Sequence, residues 1–111
     1  MKSISFLIIT LFVFGLSFAQ PKTDEQKVKF KVWGNCEMCK KTIESSLDVK
    51  GVKSAVWNQD TKMIDVVFNS TKISEDKLYD LIASSGYDTE KKKASSVAYK
   101  ALPECCQYTR K

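Results

Sequence analysis

The chain has no histidine. That absence excludes zinc sites of the Cys/His type and copper sites built on imidazole. Nor is there an apolar run long enough to cross a bilayer. The longest, residues 4–16, is interrupted by Ser5, Thr10 and Gly15 and falls short of the roughly 20 residues that a helical span needs. Gln20, not Cys, stands directly after Ala19, so no lipid anchor is expected there. No segment is of low complexity. Neither charge sign dominates any face: 18 basic and 13 acidic side chains give a net charge of +5, but they interleave. This describes a solvated surface rather than a nucleic-acid patch, and no nucleic-acid partner is expected.

What is present begins with an address. Lys2, the apolar run and the small residues Ser17 and Ala19 have the layout of a secretory signal. Cleavage near Ala19–Gln20 would send the chain to the periplasm or outside the cell, touching the membrane only through the signal. The expected organisation is a signal peptide over residues 1–19, a flexible lead-in over 20–26, one small domain over 27–93, and a Cys-containing C-terminal extension over 94–111. An exported chain with four Cys raises disulfides as the first alternative to any other use of the thiols.

The domain reads as alternating strands and helices. Val28, Phe30 and Val32 alternate with Lys27, Lys29 and Lys31, which predicts a half-buried strand. Gly34 and Asn35 break it. Cys39, Ile43 and Leu47 then recur at spacing four, which predicts a helix from about Glu37 to Asp48, closed by Gly51. Residues 52–57 and 63–68 read as a hairpin around the polar turn 58–62, with Ile64, Val66 and Phe68 facing inward. Ser74, followed by Glu75 and Asp76, caps a second helix with Leu78, Leu81 and Ile82 on its buried side. Tyr87 to about Lys92 is a weak fourth strand. The order is β-α-β-β-α-β, a ferredoxin-like α+β fold: a four-stranded antiparallel sheet with two helices on one face. In the tail, Ser95-Ser96 can cap a short helix that Pro103 stops. The apolar residues around Cys105 and Cys106 predict that the tail packs back on the domain.

Cys36 and Cys39 stand where the first strand hands over to the first helix. Backbone N–H groups at a helix start favour thiolate, and Lys40 and Lys41 add positive charge. Two soft sulfurs with no oxygen or imidazole partner select a soft ion: Cu(I) first, then Hg(II), Zn(II) or Cd(II). Zinc would want four ligands, which this loop alone does not offer.

This Cys36-x-x-Cys39 pair after the first strand of a βαββαβ chain resembles the heavy-metal-associated domain, the family of copper chaperones, the metal-binding modules of copper-transporting ATPases and the periplasmic mercury-binding protein. Gly51-Val52, the Ile64/Val66/Phe68 strand and Ser84-Ser85-Gly86-Tyr87 extend the resemblance, which covers residues 27–92. It implies one soft metal ion at the exposed loop, no enzymatic activity, and Tyr87 packed near the metal end. It also implies a metal-transporting membrane protein or another thiol-bearing carrier as partner. Two departures stand out. Gly34 takes the place of a Met that anchors the loop in the family, and Met38 lies between the Cys residues, either as a loop or packing side chain or as an extra soft ligand. The tail is an addition beyond the family domain. About thirteen residues from Lys92 to Cys105 span up to roughly 43 Å, enough for Cys105 or Cys106 to add a third or fourth thiolate to Cys36 and Cys39. A disulfide from the loop to the tail, or separate binding by the tail, are the other readings; a Cys105–Cys106 bond would be strained. Against the metal carrier stand a thiol–disulfide oxidoreductase and a structural domain stapled by disulfides.

Overall fold

The computed structural model describes residues 24–110. The expected signal peptide lies outside them, as does the start of the lead-in. Alternation builds the sheet as anticipated. β1 (Glu25–Lys31) pairs antiparallel with β3 (Met63–Asn69), from Glu25 opposite Asn69 to Lys31 opposite Met63. β3 also pairs with β2 (Val52–Trp57), Trp57 standing opposite Ile64. The order across the sheet is β1-β3-β2. The 58–62 turn closes on Asn58, whose Oδ1 accepts from the Asp60 and Thr61 amides at 2.8 and 3.0 Å.

Two helices cover the apolar face. α1 (Glu37–Ser46) and its C-cap Leu47 bury Cys39, Ile43 and Leu47, the predicted stripe. α2 (Glu75–Ser84) starts at Ser74, whose side chain accepts from the Lys77 amide at 3.2 Å. It buries Leu78, Tyr79, Ile82 and Ala83. Cys39, Ile43, Leu47, Leu78, Tyr79 and Ile82 join Phe30, Ile64, Val66 and Phe68 in a single core. Burying a side chain of this size contributes about 1.5–3 kcal/mol, so the two stripes hold the helices to the sheet. Among the described residues no helix is long and apolar enough to cross a membrane.

The expected four-stranded sheet is corrected: among the described residues the sheet has three strands. Residues 87–92 reach the free edge of β1 but do not run along it. Trp33 N–H donates to Asp88 O at 3.0 Å, Glu90 N–H donates to Lys31 O at 3.1 Å, and Val32 bridges Thr89. There the pairing ends, because Thr89 folds the chain back on itself. Its amide donates to Lys92 O at 2.7 Å, and its Oγ1 accepts from the Lys92 amide at 2.9 Å. A short-range turn of this kind competes directly with extension along the sheet.

The tail packs on the domain, as its apolar residues predicted. α3 (Ser96–Lys100) is capped by Ser95, which accepts from the Ala98 amide at 3.1 Å. Pro103 then leads into a 3-10 turn, Glu104–Cys106, that lies against α1. Gly86 makes room for this. Its φ is +103°, and a Cβ there would stand 2.7 Å from Ala98 O and 3.0 Å from Leu102.

Candidate metal centre

Cys36 is the N-cap of α1, with extended backbone (φ −135°, ψ 177°). Cys39 sits one turn on, on the buried stripe. This spacing turns both sulfurs to one place, and they lie 3.5 Å apart. The Asn35 amide donates to Cys39 Sγ at 3.4 Å, and the Gln59 side chain steadies the loop by donating to Asn35 O at 2.9 Å. All four Cys are free thiols.

The tail completes a group of three. Cys106 Sγ is 3.9 Å from Cys36 Sγ, and the sulfurs of Cys36, Cys39 and Cys106 all lie within 4.8 Å of one another. Cys105 takes another direction. Its Sγ is 3.9 Å from Cys106 Sγ and 3.8 Å from Met38 Sδ, while its carbonyl faces Cys36 Sγ at 3.6 Å. Of the sequence-predicted residues, Cys36, Cys39 and Cys106 thus share one space, and Cys105 stands on its rim.

The three thiols differ in their surroundings. Cys39 and Cys106 have no exposed surface; Cys36 is partly exposed. The Cys39 backbone amide at the helix start draws the Cys36 pKa down to about 7. Burial, then the neighbouring Cys39 side chain, pushes Cys106 up to about 12. Lys40, expected to favour thiolate, is turned elsewhere: it pairs with Glu44 and donates to Trp57 O at 3.1 Å. Lys40 and Glu44 instead tie α1 to β2, since Glu44 also accepts from the Trp57 amide at 2.8 Å.

Tyr87 closes the inner wall. It is fully buried and its hydroxyl has no hydrogen-bond partner among the described residues. Burial raises its pKa, with Cys106 and Cys39 as the nearest further causes. A buried donor without an acceptor is costly; thiolates formed at Cys39 or Cys106 would supply one. Tyr87 stacks on Tyr108, ring centroids 5.9 Å apart.

Tyr108 anchors the tail that carries Cys106. Its hydroxyl accepts from the Asp88 amide at 2.7 Å and donates to Gly86 O at 2.9 Å. The Tyr99 hydroxyl donates to Tyr108 O at 2.5 Å. Arg110 grips the buried Asp88 carboxylate with two bonds, at 2.8 and 2.9 Å, and Ala94 O at 2.6 Å. Sequence reasoning did not assign Asp88, Tyr99, Tyr108 and Arg110 to the site. Their only signal was the density of aromatic and apolar residues flanking the tail Cys pair.

The chain is 36% identical over 67 residues to the copper chaperone CopZ of Staphylococcus epidermidis, a match spanning 59% of this chain and 97% of that one. It belongs to the heavy-metal-associated domain family. No family model matches the sequence. Two solved members of this family show the same frame. Oxidized MerP from Ralstonia metallidurans CH34 superposes with a TM-score of 0.56 at 29% identity, over 60% of this chain and 94% of that one. The N-terminal domain of a potential copper-translocating P-type ATPase from Bacillus subtilis, solved in its Cu(I)-loaded state, superposes with a TM-score of 0.56 at 27% identity, over 59% and 84%. A heavy-metal-associated domain thus forms the frame of the chain, and the Cys-x-x-Cys loop sits at its strand–helix junction.

Proposed function

We propose that this protein is an exported, non-enzymatic carrier or scavenger that holds one soft metal ion, Cu(I) in first place, on Cys36, Cys39 and Cys106. The observation that carries this reading is the convergence of three sulfurs from two distant parts of the chain within 4.8 Å. An ion bound to three sulfurs at about 2.3 Å sits in a triangle with sides of about 4.0 Å. The Cys36–Cys39 and Cys36–Cys106 separations of 3.5 and 3.9 Å are close to that. An all-sulfur set with no imidazole or carboxylate favours Cu(I), with Hg(II), Zn(II) and Cd(II) behind it. The similarity to a copper chaperone and to a Cu(I)-loaded ATPase domain points the same way.

Binding replaces thiol protons by the ion. Cys36, its pKa drawn down to about 7, gives up its proton most readily, and Cys106 gives up its own as the ion arrives. Tyr87 then finds its missing acceptor in the thiolates beside it. Delivery would follow by ligand exchange: a partner thiolate bonds to the ion as Cys36, the most exposed of the three, releases it. A metal-transporting membrane protein or another thiol-bearing carrier is the fitting partner, and the signal-like composition of residues 1–19 supports an exchange in the periplasm or outside the cell.

Anaerobic competition between the reduced protein and a Cu(I) chelator tests this. One tightly bound equivalent, lost in Cys36→Ser/Cys39→Ser, is expected. Weak binding together with vigorous disulfide reductase turnover on insulin would overturn the proposal in favour of an oxidoreductase.

A further inference from the structure

Two further sulfurs lie beside the inner three: Cys105 Sγ and Met38 Sδ. They come from positions 67 residues apart and meet at 3.8 Å. Both face solvent; Met38 is 51% exposed, although it is a large apolar side chain. Packing in the core therefore does not account for Met38. Cys106 Sγ lies between this pair and the inner centre, 3.9 Å from Cys105 Sγ and 3.9 Å from Cys36 Sγ. The sulfurs thus form a continuous row, from the exposed Met38 and Cys105 through Cys106 to Cys36 and Cys39.

We infer that Cys105 and Met38, next to a shared Cys106, form a second, outer position for one soft monovalent ion of the Cu(I) or Ag(I) class. The ligand chemistry sets the charge. A thioether binds soft ions without carrying charge, and one thiolate beside it balances a single positive charge; Cys105 loses its proton to water as it binds. A thioether is a poor partner for a hard or strongly hydrated cation. The position also has a purpose. Cys39 and Cys106 are wholly buried, so an ion approaching the inner centre from the tail side meets Cys105 and Met38 first. This inference rests on the proposed inner centre.

The test is an anaerobic Ag(I) titration of the full reduced protein, read by native mass spectrometry and by the Met methyl resonances. Two equivalents are expected, the second at least about tenfold weaker. The Met38 methyl signal should move with the second equivalent and not the first, while Met63, in β3, serves as control. Met38→Leu and Cys105→Ser should each lose the second equivalent. A wild-type protein that takes one ion, or a Met38→Leu protein that still takes two, overturns the outer position. Failure of the inner centre looks different: the first equivalent would survive unchanged in Cys36→Ser/Cys39→Ser.

Discussion

Cys36 Sγ and Cys106 Sγ stand 3.9 Å apart, although 70 residues separate them in the chain. A loop that in isolation offers two thiolates therefore has a third within reach, supplied by a segment outside the βαββα frame. Replacing Cys106 with Ser should weaken Cu(I) binding at least about tenfold, equivalent to about 1.4 kcal/mol. The thiolate-to-metal absorption should change with it. Competition titration and ultraviolet spectra of the two proteins check this directly, and identical affinities would remove Cys106 from the centre.

The third ligand depends on its anchor. In Tyr108→Phe the Asp88 amide and Gly86 carbonyl lose a buried partner, which should cost about 1–3 kcal/mol. The loss should appear first as faster amide exchange in residues 95–110, ahead of β1 and β3. Metal affinity should fall in the same variant, although no sulfur has been touched. Equilibrium denaturation, with hydrogen exchange mapped by mass spectrometry, separates the local effect from the global one.

Gly34 is small because Trp57 takes its space. A Cβ at Gly34 would stand 3.1 Å from the Trp57 ring and 3.2 Å from Ile43 Cδ1, and Trp57 is held in place by donating from Nε1 to Val32 O at 3.1 Å. Gly34→Ala should thus destabilise the protein by about 1–3 kcal/mol through overpacking. In Gly34→Ala/Trp57→Leu the combined cost should be smaller than the sum of the single costs, as a double-mutant cycle by denaturation would reveal.

The thiols of the metal-free protein should titrate apart. Cys36, with its pKa lowered to about 7, should be alkylated at a rate that rises as pH increases through 7 and falls away below it. Cys106, buried and pushed up to about 12, should stay unmodified over the same range until the chain unfolds. Iodoacetamide labelling from pH 5 to 9, followed by peptide mapping, gives both curves.

Much of the frame was legible because it rests on local periodicity. The alternation of Val28, Phe30 and Val32 and the spacing of Cys39, Ile43 and Leu47 each describe one element against one face, and both hold in the structure. The fourth strand misled because Tyr87 to about Lys92, weak and polar as a strand pattern, reads as an edge strand. Thr89 offers the backbone a closer partner in Lys92 than the edge of β1 does beyond Glu90. Lys40 misled for a similar reason: its position in sequence near the sulfurs says nothing of the Glu44 carboxylate one helical turn away, which captures it.

By itself, the sequence determined that two thiols sit at a strand–helix junction, that no imidazole joins them, and that a second Cys pair rides on a tail apolar enough to dock. Those are properties of composition and short-range spacing. Only the tertiary structure decided that the adjacent residues Cys105 and Cys106 part ways, one to Met38 on the rim and the other into the buried triad. Only there, too, did Trp57 take the space beside Gly34 and the hydroxyl of Tyr87 come to lie beside Cys39 and Cys106 without a hydrogen-bond partner among the described residues. Each of these depends on where the tail or a distant strand comes to rest. That is set by long-range packing around Tyr108 and the Asp88–Arg110 pair, which no local pattern encodes.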